Sequence, residues 1–244
     1  MSVPVGRTLK QRFGRWLFAH LPITRYLFDQ LRFEANAWIV GFQNAVLPGR
    51  RRRLRQIRSM RHVLVNVACG PQILDGYINV ELMGPPPRVR WDCRRSLPIA
   101  DDGAAGIRVE HFLEHIEPRE ELPAFLRDCR RALERGGVLR VIVPDAERYL
   151  RAYCAPGLDG LREMAVPIPF PADLPTRMDV INHVFHSWHE HRWAYDFETL
   201  AHRLRAAGFT VIEQVGFRRS LLPALAQDRD QHAPYSLYVD AVKT

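Results

Sequence analysis

The chain has 244 residues, 47% of them hydrophobic and 25% charged, which is enough apolar mass for a full core and excludes a disordered or low-complexity polymer. Its net charge of +8 is uneven: residues 1–61 carry 13 Lys/Arg against 2 Asp/Glu, whereas the remainder carries 22 against 25. The longest apolar run, around Ala37–Gly41, is far short of the ~20 residues that cross a bilayer, and no secretory leader pattern is present. Cys69, Cys93, Cys129 and Cys154 form no CxxC pair, so reduced thiols and a cytoplasmic setting are expected.

In chain order, residues 1–22 plot as a basic amphipathic helix. Val5, Leu9, Phe13, Trp16 and Leu17 share one face, and Arg7, Lys10, Gln11 and Arg15 share the other. A second helix is predicted from Ile23 to Val46, with Leu27, Leu31, Ala35, Trp38 and Phe42 on one stripe. These helices either cap the following domain, lie on an anionic membrane surface or fill a partner's groove. Arg50–Arg53, with Arg55, Arg58 and Arg61, reads as a solvated linker face or as a contact to lipid or glycan phosphates. Nucleic acid is disfavoured, because no aromatic interleaves the run to stack on bases. Residues 1–61 are thus expected to form a basic helical appendage, with 1–22 and 50–61 as candidate contacts to an anionic membrane.

Val63–Val67 is a β-branched run suited to a buried strand, and it breaks at Ala68-Cys69-Gly70-Pro71, where small residues let the backbone approach a ligand. A second strand, Tyr77–Leu82, carries Glu81 near its end. In dinucleotide-type folds an acid there holds ribose hydroxyls. Val89–Asp92 and Ala105–Glu110 read as the third and fourth strands, the latter followed by His111. A helix from about Arg119 to Glu134 is expected to stop at Gly136-Gly137 in a left-handed cap, before a fifth strand at Val138–Val143.

The segments GYINVEL, DCRRSLPIADD, HFLEH and RALERGGVLRVIVPD, in that order after a small-residue turn, resemble the cofactor half of class I S-adenosylmethionine-dependent methyltransferases. They are most similar to a small bacterial group associated with surface-glycan genes. The resemblance covers about residues 62–150. Ala68 departs from it, standing where the family usually has glycine; the alanine methyl fits on the condition that its φ is negative, and the departure bears on cofactor affinity more than on fold. The fold implied is α/β, a Rossmann-like sheet, mostly parallel with an antiparallel last strand, spanning 62–244.

Two histidine-bearing stretches need separate treatment. His111-Phe112-Leu113-Glu114-His115 matches the H-x-x-E-H pattern of inverted zinc proteases, but that chemistry needs a long helix. Here the motif follows a strand and Pro118 closes it, so no metal is expected; the resemblance implies that His111 borders the transferred methyl and that Glu114-His115 braces the next loop. Asn182–Trp193 holds His183, His186, His189 and His191 among aromatics, and His191 leads a segment similar to the family's histidine before Tyr-Asp. Asp196 is a candidate N-cap for a helix over Phe197–Ala207, with Gly208 as the stop. Phe209–Val215 and Tyr235–Val242 complete the sheet, and Ala155–Pro175 reads as a loop over a substrate cleft.

What the resemblance implies is methyl transfer from S-adenosylmethionine to a hydroxyl or amine of a glycan or related small molecule. The cofactor residues would be Asn66, Ala68, Cys69, Gly70, Glu81, Asp92, Cys93 and His111, with Glu81 on the ribose and Asp92 near the adenine. His191 is the first choice for the base that deprotonates the acceptor, and His111 the second. The alternative is a non-catalytic, membrane-associated adaptor on the same scaffold.

Overall fold

The computed structural model describes residues 24–157, 160–161, 174 and 176–244. The helix expected over 1–22 and most of the expected cleft loop lie outside them.

Helix α1 (Arg25–Val46) begins where the Thr24 hydroxyl accepts from the Leu27 N–H at 3.2 Å. The predicted stripe shares one side, and that side faces outward. The buried positions are Ala37, Val40 and Asn44, whereas Leu31 is 58% exposed, Trp38 71% and Phe42 53%. The helix is held to the sheet edge by small residues against Leu82 and by the Asn44 side-chain amide donating to Arg90 O at 2.8 Å, so the large apolar side chains are left outward. The arginine run is a helix and not a linker. α2 (Pro48–Ser59) starts on proline and buries Leu54 and Ile57 in the main core, while Arg51, Arg52, Arg53 and Arg55 point to solvent.

Seven strands follow: β1 (Val63–Val67), β2 (Tyr77–Glu81), β3 (Val89–Arg90), β4 (Ala104–Glu110), β5 (Leu133–Pro144), β6 (Val211–Val215) and β7 (Ser236–Val242). They form one sheet in the order β3-β2-β1-β4-β5-β7-β6. β1 to β5 pair in parallel, and β7 runs antiparallel to both β5 and β6. This is the Rossmann-like α/β sheet that the motifs imply, mostly parallel with its reversed strand in the expected place. A nine-residue turn, not a helix, joins β1 to β2.

Alternation along the strands gives the sheet two unlike faces. Val65, Val67, Ile107, Val109, Leu139, Val141 and Val239 point into the main core beneath α2, α3 (Glu121–Ala132) and α6 (Phe197–Ala206). Asn66, Asn79, Arg108, Glu110, Arg140 and Asp240, buried but polar, point the other way. That side is covered by the β6–β7 connection, residues 216–235. There is no room for a side chain at Gly106: a Cβ would stand 2.8 Å from Leu222 Cδ2 and 2.9 Å from Leu225 Cδ2.

One cap expectation fails. α3 ends at Ala132 and the chain is already extended at Leu133, so β5 starts before the glycine pair. Gly136 has φ +80° inside the early part of β5, where its N–H donates to Lys243 O at 2.7 Å. The glycine therefore bends a strand and caps no helix. α6 does begin as expected, with the Asp196 carboxylate accepting from the Thr199 N–H at 2.8 Å. α4 (Ala146–Cys154) and α5 (Arg177–His186) pack together around Tyr149, Leu161, Val180, Ile181 and Tyr235.

Candidate active site

In an open parallel sheet, ligands bind outside the strand carboxyl ends where the connections change direction. The chain runs outward through β1, β2 and β3, then returns to β4 and continues through β5 on the other side. The change falls between β1 and β4, so the crevice lies between residues 68–70 and residues 110–112.

On the β1 side, the left-handed conformation occurs twice in three residues, at Ala68 (φ +49°) and Gly70 (φ +50°). The condition of a negative φ at Ala68 is not met: the chain enters the left-handed region at that point, and the alanine occupies it with a methyl group that costs ~1–2 kcal/mol. Space beside Gly70 is open, with nothing within 4 Å of an added Cβ. The Gly70 N–H donates to Glu81 Oε2 at 2.9 Å, and Glu81 Oε1 accepts from Leu82 N at 2.7 Å. Arg88 Nε donates to Gly70 O at 2.9 Å. Gly70 and Glu81 therefore meet at one point, as a ribose-holding acid beside a tight turn requires.

The other predicted cofactor residues have different surroundings. Asn66 is 1% exposed and ties the turn together from inside. Its amide donates to Gln72 O at 2.9 Å and Asn79 Oδ1 at 3.0 Å, and its oxygen accepts from Arg108 at 3.3 Å. Cys69 and Cys93 are buried, and burial pushes both thiols up, so neither is a reactive thiolate. Asp92 has both oxygens on Arg94, at 3.1 and 2.9 Å, while Arg94 also reaches Glu34 of α1 at 2.7 Å and Glu121 of α3 at 3.3 Å. In this arrangement Asp92 fastens α1 and α3 to the end of β3. It reaches an adenine amine only if Arg94 gives up part of its fork.

On the β4 side, His111 follows the strand with φ +51°. Its Nδ1 lies 3.1 Å from Glu114 Oε1 and its Nε2 2.9 Å from Ser236 Oγ. Its ring is 4.0 Å from that of His232. Glu110, beside it, accepts from Arg108 at 2.7 Å, from Arg229 at 2.7 Å and from His232 at 3.0 Å. Burial works to raise the Glu110 carboxyl. The His232 hydrogen bond and the two guanidinium groups overcome it and hold the group well below the usual range.

The structure also brings the two base candidates together. Leu113–His115 is a short 3₁₀ turn, and the backbone of Arg192 donates to Glu114 O at 2.6 Å. That bond carries the residue 190–195 segment across the turn. His191 Nδ1 lies 2.6 Å from Val184 O, its ring centroid stands 4.8 Å from that of His115, and burial pushes its pKa down. Glu114, whose side chain is 2% exposed, sits among His111, His115 and His191; burial would raise its carboxyl, but those imidazoles bring it to about 2. The His189 ring rests 5.2 Å from that of Tyr26, and His186 contributes its backbone carbonyl, which accepts from His191 N at 3.2 Å. The sequence reading missed Glu114 as the shared centre, and it also missed Ser236, His232 and Arg229. Only the HFLEH match hinted at Glu114, and nothing local pointed to the rest.

No family model and no curated protein matches the chain. Solved structures do. A S-adenosylmethionine-dependent methyltransferase from Archaeoglobus fulgidus is 17% identical over 90% of this chain and 100% of its own, with a TM-score of 0.43. One from Mesorhizobium loti is 16% identical over 78% and 96%, also at 0.43. The 1,6-didemethyltoxoflavin-N1-methyltransferase of Burkholderia thailandensis, solved with S-adenosylhomocysteine, is 14% identical over 99% and 93%, again at 0.43. The fold assignment rests on the strand order and the reversed β7.

Proposed function

We propose that this protein is a S-adenosylmethionine-dependent methyltransferase acting on a hydroxyl or amine of a glycan or related small molecule. The observation that carries the reading is the meeting of Gly70 and Glu81 at the switch point of the sheet, across from His111. The residues present fit the cofactor there. Gly70 leaves open space for the methionine portion, and Glu81 offers an acceptor-only carboxylate to the ribose hydroxyls. Asp92 fits less well, because Arg94 already holds it.

When bound, the cofactor's sulfonium supplies an activated methyl group. The chain's own task is to align the acceptor and take its proton. His111 is better placed for this than His191. With its proton on Nδ1 toward Glu114, the ring keeps a free lone pair on Nε2, which now meets Ser236 Oγ at the start of β7. His191 has its Nδ1 on Val184 O, and its ring lies in the Glu114–His115 cluster. It forms wall, and His111 serves as base.

Calorimetry with S-adenosylhomocysteine tests the reading. Binding should be weakened by ~1–3 kcal/mol in Glu81→Ala, the cost of hydroxyls left without a partner. Absence of binding at millimolar ligand leaves the adaptor reading in its place.

A second element of the proposal is peripheral attachment to an anionic surface. It is supported by the outward Leu31, Trp38 and Phe42 of α1 beside the outward arginines of α2. Among the described residues no helix is long and apolar enough to cross a membrane. Co-sedimentation with anionic vesicles at low salt checks it, and a Trp38→Ser/Phe42→Ser variant should release the protein while keeping cofactor binding.

A further inference from the structure

We propose that Glu114, His115 and His191 form a binding site for a borderline first-row divalent cation of the Zn²⁺ class. One ligand atom from each of these residues lies within 4.8 Å of the others. The set is two imidazoles and one carboxylate, which suits zinc and its neighbours and excludes the oxygen-seeking Mg²⁺ and Ca²⁺.

Two independent observations point to an ion. The first is the carboxylate. Glu114 is 2% exposed at its side chain, yet neither oxygen accepts a well-directed hydrogen bond; Oε1 has the His111 Nδ1 contact at 3.1 Å, and Oε2 has no partner. A buried anion with an unsatisfied oxygen is costly unless a cation faces it.

The second observation is how the histidines are held. His115 Nδ1 lies 3.1 Å from Glu190 O and His191 Nδ1 2.6 Å from Val184 O. A carbonyl only accepts, so each ring carries its proton on Nδ1 and presents a bare Nε2 lone pair. Metal-bound histidines are oriented in the same way, with the far nitrogen donating to a backbone carbonyl. Beside them is a cavity about the size of one water molecule, bordered by Glu114, Val184, Phe185, His191, Trp193 and Tyr195.

Bonds of ~2.0–2.1 Å to a tetrahedral zinc place ligand atoms about 3.4 Å apart. Small side-chain rotations therefore close the set onto an ion. Three protein donors leave a fourth position for water or a substrate oxygen. Glu114 would bind through Oε2 and keep Oε1 for His111, so the site is compatible with His111 as base and does not depend on it. The H-x-x-E-H reading of residues 111–115 chose different ligands: the two histidines of that motif are His111 and His115, whereas here one ligand comes from 76 residues further along the chain.

The test uses the full-length protein, stripped with chelator and titrated with Zn²⁺, with Co²⁺ as the spectroscopic probe. One equivalent should bind, raise the melting temperature and give the visible absorption of four- or five-coordinate Co²⁺. His115→Ala, at a partly exposed position, and His191→Ala should each weaken binding by more than the ~10–100-fold that an outer-sphere partner is worth. Glu114→Gln should do the same where it folds. His186→Ala, an exposed histidine of the same rich stretch, should bind as the parent does. Lack of stoichiometric binding by the parent, or full binding by both His115→Ala and His191→Ala, overturns the proposal. Neither readout involves S-adenosylhomocysteine, so failure here and failure of the methyltransferase reading are separable.

Discussion

The two faces of the sheet solve the same burial problem by opposite means. One is covered by α2, α3 and α6 through aliphatic contacts, with Val65, Ile107, Leu139, Val141 and Val239 wholly buried. The other is covered by residues 216–235 through charge. Arg140 donates to Asp228 at 3.0 and 2.6 Å and to Asp240 at 2.9 Å, and all three side chains are 0% exposed. The same connection supplies Arg229 and His232 to Glu110 and lends Gln227 O to Arg108 at 3.1 Å. An irregular segment has no apolar stripe to offer, so it is fixed by directed bonds. The Glu110 bonds lead directly to the residue beside the proposed base. Removing an apolar contact should therefore loosen the fold locally, whereas removing a charge should unpin a whole cover and the β4 end with it.

The largest effect is expected at the buried triad. Asp228→Ala leaves Arg140 with half its compensation and also removes the acceptor for Arg218 N at 2.7 Å. A loss of ~3–5 kcal/mol in denaturant unfolding is expected, and a loss below ~1 kcal/mol would mean that the cover is held by its leucines.

The next is a difference in pH response. Glu110 has a folded pKa below its unfolded value, so its contribution is present above the unfolded pKa and drains away as pH falls through the folded one. Glu110→Gln, which loses charged hydrogen bonds worth ~1.5–3 kcal/mol in all, should be less stable than the parent at neutral pH. The gap should narrow progressively below about pH 4.5. Parallel stability curves from pH 7 to pH 3 would show that the charge on Glu110 does not hold the cover.

On the apolar face, Ile107→Val removes one methylene from a 0% exposed side chain and should cost ~0.5–1.5 kcal/mol, with no pH dependence over the same range.

This contrast also explains what was legible beforehand. The helix-covered face shows in the sequence, because β-branched runs at Val63–Val67 and Val138–Val143 and the cap at Asp196 are local signals. The mostly parallel sheet with a reversed last strand followed from the resemblance that the motifs carry. The charged face does not show, since Arg140–Asp228 and Glu110–His232 join residues 88 and 122 positions apart. For the same reason the histidines were assigned to two separate stretches, which long-range contacts join: Arg192 N to Glu114 O, His115 to Glu190 O, and the His115–His191 ring pair. The stripe on α1 was legible but its direction was not, because periodicity reports which residues share a side and not which side is buried; Ala37 and Val40 took the contact by being small.

The smallest effect lies at the rim where the two faces meet, at Ala68. Its φ of +49° strains an alanine by ~1–2 kcal/mol, which glycine would relieve. Two terms oppose the gain. Glycine adds unfolded-state entropy worth ~0.4–1 kcal/mol. Its missing methyl also gives up part of the ~0.8 kcal/mol of a buried carbon, because Ala68 packs against the main core while only partly buried. The net for Ala68→Gly is centred on about 0.4 kcal/mol of stabilisation, within extremes of about −0.8 and +1.6 kcal/mol. Ala68→Val adds β-branching to a left-handed residue, so it should cost more than the alanine strain already present. The pair is read from denaturant midpoints at constant m-value, which isolates stability from changes in compactness. A lower midpoint for Ala68→Gly would mean that the methyl contact outweighs the strain. The turn would then be shaped by packing against the apolar face and not by the backbone alone.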